Sequence, residues 1–184
     1  IYITKRIQSG ELFESSALFI DDDHPMDEHY CSAAAMMQSN NLFGQAAVEA
    51  TDLDQASKER LIRESLRRLV LHEVGHTLGL NHNFKGSNLL TYEEIKNKET
   101  TYEKGLCSSV MEYPSINFSL EPENQGLYYD TIPGPYDHWA IRFAYSEVDD
   151  NDLKAILDES TKPEHAFAND PDDMRGTGNG MDPD

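Results

Sequence analysis

The chain has 184 residues, 34 of them acidic and 15 basic, for a formal net charge of −19. An excess of that size repels phosphate backbones and anionic bilayers and so argues against nucleic acid as a partner, and no apolar run reaches the eighteen residues that a membrane-spanning helix needs. The length suits one domain with a hydrophobic core, while Cys31 and Cys107, the only cysteines, leave open one bridge or two thiols.

The opening IYITKRI carries neither an initiator Met nor the apolar stretch of a signal peptide, so the chain reads as a piece of a longer precursor. Ile1, Ile3 and Ile7 alternate with polar positions there, and SALFI at 16–20 is a second short apolar run; both predict strands. The acidic clusters at 21–29, 147–152 and 169–174 lack the spacing of a calcium loop and read as solvated loops and helix starts. Residues 31–50 are rich in Ala, Met and Gln, with Gly44 interrupting, which predicts one helix or two broken ones.

Thr51, Asp52 and Asp54 offer caps for a long helix over about 55–79. In it Ile62, Leu66, Leu69, Val70, Glu73, Val74 and Thr77 form the stripe expected to turn inward, which would set Glu73 in an apolar environment. Lys58, Glu59, Arg63, Glu64, Arg67 and Arg68 are assigned to the other side. TYEE at 91–94 is a capping box for a short helix closed at Gly105, and helices are expected in YDHWAIRFAYS and NDLKAILDES. The domain is drawn over 1–160, with a polar, loosely held tail over 161–184. His24, His29 and His165 lie in acidic loops and read as solvated; His138, beside Trp139, reads as packed at a helix surface.

The long helix contains HEVGHTLGLNH at 72–82. His72 and His76 are one turn apart and project from one face, so both can reach one ion; Glu73 sits beside them, placed to act as general base on a metal-bound water. Were the helix to continue, His82 would lie about 9 Å along the axis and about 240° around it, out of reach of a shared ion. Gly79 can adopt the left-handed conformation that ends a helix and brings His82 back as a third ligand. Three histidines leave a fourth position for water, the pattern of a catalytic zinc site. Gly75, inside the helix, predicts close approach by another segment.

HEVGHTLGLNH resembles the H-E-x-x-H-x-x-G-x-x-H pattern of the metzincin metalloproteases, and SSVMEYP at 108–114 is similar to their methionine-bearing turn, which makes Met111 the Met-turn residue. LGLNHNFKGS, SVMEYPSINF and TIPGPYDHWAIRFAYS are similar to the large bacterial zinc-dependent metalloproteases that carry a met-zincin domain. The resemblance implies Zn2+ held by His72, His76 and His82 and a secreted, periplasmic or surface-attached endopeptidase acting on protein or peptide substrates. It also implies a general base in Glu73, an oxyanion contact from Tyr113, a substrate wall over 112–118, and an Asp137 that caps its helix or steadies the Met-turn. Asn83, after the third histidine, differs from the better-studied branches, so their preferences do not carry over. The implied fold is α+β, a metzincin-like catalytic domain that is mainly helical here, with part of its N-terminal sheet upstream of Ile1. Such a sheet would leave an exposed edge, predicting a homo-oligomer or marginal stability. A zinc-binding scaffold without turnover, or a metal hydrolase acting on non-peptides, would use the same residues.

Overall fold

The computed structural model describes residues 33–50 and 55–169. The strands predicted at 1–7 and 16–20, with Cys31, His24 and His29, lie outside them. Among the described residues the architecture is helical and contains no strand, so it supports the mainly helical half of the expected α+β class.

Helix α1 (Ala33–Ala50) is continuous through Gly44, where a Cβ would come within 2.5 Å of Ile116 Cδ1 and 2.7 Å of Leu61 Cδ1. The glycine marks close packing rather than a break. Helix α2 (Gln55–Thr77) runs back along α1: Lys58 meets Glu49 at 2.9 Å, Leu61 lies over Gly44, and Asn41 donates to Ser65 Oγ at 2.6 Å. Beyond the metal motif come a 3-10 turn at Gly86–Leu89 and two short helices, α3 (Tyr92–Ile95) and α4 (Lys98–Lys104). Thr91 and Glu94 form the predicted capping box, Asn97 caps α4, and Gly105 closes it with φ 80°. Residues 106–130 then cross beneath α2 with little helical structure. Helices α5 (Pro135–Tyr145) and α6 (Asp150–Asp158, capped by Asp149) follow, then 3-10 turns at Glu159–Thr161 and Pro163–His165.

The main core gathers Val48, Leu61, Tyr128 and Tyr129, with Met37, Ile62, Ile116 and Phe118 against it; a smaller cluster joins Leu106, Cys107 and Leu127 to Ile95. Cys107 is buried and forms no disulfide among the described residues, and burial pushes its thiol pKa well above the ordinary value.

The inward face of α2 differs from the predicted stripe. Its buried residues are Leu61, Glu64, Ser65, Arg68, His72 and Gly75, while Val70 and Val74 are 61% and 47% exposed and Glu73 faces solvent. The irregular stretch beneath explains the rotation, because backbone groups that pair with no neighbouring strand or helix still need partners. Glu64 accepts the N–H groups of Tyr128 and Tyr129, and Arg68 donates to the carbonyls of Val110 and Glu112. Helix α2 therefore turns Glu64 and Arg68 inward, while Glu59, Arg63 and Arg67 stay exposed.

Within 161–169, assigned to the tail by sequence, His165 and Ala168 are buried, and Phe84 N–H donates to Ala168 O at 2.9 Å, while 161–163 stay exposed. The buried His165 is stacked on Trp139 at 5.3 Å with its Nδ1 2.8 Å from Glu159 O, which corrects its reading as a solvated residue. His138 is exposed.

Candidate metal centre

The end of α2 builds the site. Leu80 N–H donates to Gly75 O at 3.0 Å and Gly79 N–H to His76 O at 2.9 Å, with Gly79 at φ 85°. These are the two bonds of a Schellman cap. A Cβ on Gly79 would meet nothing within 4 Å, so glycine is required there by backbone conformation alone. The reversal returns His82 to the helix face, and the ligand atoms of His72, His76 and His82 all lie within 4.8 Å of one another.

Hydrogen bonds orient two of these rings. His72 Nδ1 is 2.8 Å from Val110 O and His76 Nδ1 3.1 Å from Leu80 O. A neutral imidazole that donates from Nδ1 presents a lone pair at Nε2, the arrangement metal-binding histidines use. Burial holds the His72 pKa down to about 3, so its ring is neutral near pH 7. His76 Nε2 is buried and has no hydrogen-bond partner among the described residues. A buried, unpaired ring nitrogen beside two other imidazoles offers a lone pair to a cation, and a set of three histidine nitrogens suits Zn2+.

The Met-zincin family matches residues 54–184, well over half of the sequence. The chain belongs to the Met-zincin family. No curated protein and no solved structure matches it.

The turn at 108–114 that resembles a Met-turn packs against the helix bearing His72 and His76. Met111 is fully buried, and a Cβ on Gly75 would overlap its sulfur, so the close approach expected at Gly75 is made by Met111. Asp137 fills both roles expected of it. Its carboxylate accepts Gly134 N–H at 2.8 Å at the start of α5, and Ser109 Oγ–H at 2.7 Å and Val110 N–H at 2.8 Å in the turn. Burial raises its pKa, opposed by these same bonds. Tyr113, half-buried, has its hydroxyl 2.7 Å from His82 Nε2. Glu73 lies on the open side of α2, solvent-exposed rather than in the apolar environment expected from the sequence.

Three supports escaped the sequence reading. Glu112 accepts Tyr113 N–H at 2.7 Å and Ser87 N–H at 3.1 Å, fixing the turn against the loop after His82. Asn83 is fully buried; its backbone donates to Met111 O, and its side chain bonds Lys85 N, Ala166 O and Ala168 N. The departure at this position is thus structural, tying the third histidine to the chain's last described residues. Arg68 is the third support, and its sole sequence signal is its position one turn before His72 on the ligand face.

Proposed function

We propose that this met-zincin is a zinc-dependent endopeptidase. The observation that carries the reading is the convergence of three histidine nitrogens, one buried without a partner, next to a glutamate on the same helix. His72, His76 and His82 would hold the ion, which when bound polarises a scissile carbonyl and lowers the pKa of water. Glu73, open to the solvent side, accepts a proton from the attacking water and returns it to the leaving amine. The Tyr113 hydroxyl, 2.7 Å from His82 Nε2, would donate to the carbonyl oxygen on which charge develops. The hollow beside His72, lined by Met36, Met37, Arg68, Glu112, Tyr113 and Pro114, measures about 10 Å³, room for a water and not for a substrate side chain.

The test compares the chain with its Glu73→Ala variant for zinc content and for cleavage of a peptide library. Expected are stoichiometric zinc in both and cleavage by the unsubstituted chain only, with a loss of about 10²–10⁴-fold in the variant. Zinc in both without cleavage in either would favour the scaffold reading. Cleavage of esters or non-peptide amides alone would move the substrate class.

A further inference from the structure

We infer that Arg68 is a positioning residue for the metal centre, acting on His72 through the carbonyl of Val110. The inference rests on the zinc reading above. Arg68 is 1% exposed, an arginine enclosed beneath the ligand helix. One terminal nitrogen donates to Val110 O and the other to Glu112 O at 2.6 Å, so the guanidinium straddles Met111 and holds the carbonyls on either side of it. Val110 O is the same oxygen that lies 2.8 Å from His72 Nδ1. A carbonyl has two lone pairs, and here one serves the guanidinium and the other the imidazole.

The consequence is geometric. His72 keeps its Nε2 turned toward His76 and His82 only while Val110 O stays where it is. Val110 belongs to an irregular turn whose position is set by side chains: Asp137 holds its N–H, and Arg68 holds its carbonyl. A planar guanidinium reaches both carbonyls at once, and a single ammonium cannot. Arg68 is in turn placed by Asp130, whose Oδ2 lies 3.9 Å from Arg68 Nε and whose Oδ1 accepts the N–H groups of Leu106 and Cys107. Neither Arg68 Nε nor Asp130 Oδ2 has a hydrogen-bond partner among the described residues, so this buried pair is joined by charge and not by a direct bond. That geometry makes Asp130 a counter-charge and leaves the directional work to the two carbonyl bonds.

The test uses Arg68→Lys, Arg68→Met and the double variant Arg68→Met with Asp130→Asn, the last removing both buried charges so that none is left uncompensated. Zinc affinity is measured by competition with a chelator, the Co2+ absorption spectrum reports ligand geometry, and thermal melting of the metal-free chain reports folding. Expected are folded Arg68→Met and double variants that bind zinc about 10–100-fold more weakly with an altered Co2+ spectrum, the range seen when a partner that orients a ligand is lost. Arg68→Lys, keeping one carbonyl bond, falls between these and the unsubstituted chain. Folded variants whose affinity stays within about twofold of the original and whose spectrum is unchanged would overturn the inference. So would unfolding in all three, because Arg68 would then hold the fold and not the ligand. If the unsubstituted chain binds neither ion, the zinc reading falls first and this inference with it, an outcome distinct from failure of the variants alone.

Discussion

The inward and outward sides of helix α2 depart from the usual sorting of polar from apolar at particular residues. The side against the protein buries Glu64, Ser65, Arg68 and His72 beside Leu61 and Gly75, whereas Val70 and Val74 are exposed among Glu59, Arg63, Arg67 and Glu73. Each buried polar group has a purpose that hydropathy does not encode. Glu64 and Arg68 satisfy backbone groups of the irregular chain between 106 and 130, and His72 belongs to the three-histidine cluster that could hold a metal ion. The lesson is that a helix beside strandless chain is oriented by that chain's need for hydrogen-bond partners, and a site built on such a helix inherits its rigidity.

Breaking the buried side of α2, or the Asp137 contacts that hold the turn packed against it, should cost far more than trimming the exposed side. The largest effect is expected for Asp137→Ala, which strips three donors of their acceptor; at about 1–3 kcal/mol for each buried unpaired group, a loss of roughly 3 kcal/mol or more should appear in urea unfolding, with weakened zinc binding. Next comes Gly75→Ala, whose methyl meets the Met111 sulfur and should cost about 1–3 kcal/mol, while Val74→Ala, one residue away on the open side, should stay within about 0.5 kcal/mol. Equal losses at 74 and 75 would erase the contrast between the faces. Gly79→Ala tests the turn in isolation: its Cβ has room, so only the left-handed backbone opposes it, at about 1–2 kcal/mol in thermal melting.

The smallest effect is a pH trend. Burial holds the Glu64 carboxyl above its usual 4.5. A pKa raised on folding contributes stability that is complete below the unfolded value and is lost as pH rises through the folded one. Glu64→Gln keeps a carbonyl acceptor for Tyr128 and Tyr129 but cannot ionise. The stability of the original chain relative to this variant should therefore be greatest near pH 4 and fall toward neutrality in urea titrations. A constant difference across that range would mean that the buried side carries no ionisation cost at Glu64.

Much of the site was legible before any coordinates, because its rules are local. The i, i+4 spacing of His72 and His76 is a property of any helix, Gly79 had to be left-handed for His82 to return, and Gly75 announced a close neighbour. Thr91 and Glu94 wrote their capping box in four consecutive residues. The family itself followed from this motif together with SSVMEYP. What could not be read was which way α2 faces. Its apolar residues suggested one stripe and the structure buries another, because the partners of Glu64 and Arg68 are backbone groups more than forty positions away and carry no side-chain signal. The same holds for Asn83, whose partners include Ala166 and Ala168. Local spacing determined the three-histidine cluster and the turn; only the folded chain decided which buried side chains hold them, because hydrogen bonds to distant backbone depend on where that backbone passes and not on the residue type it carries.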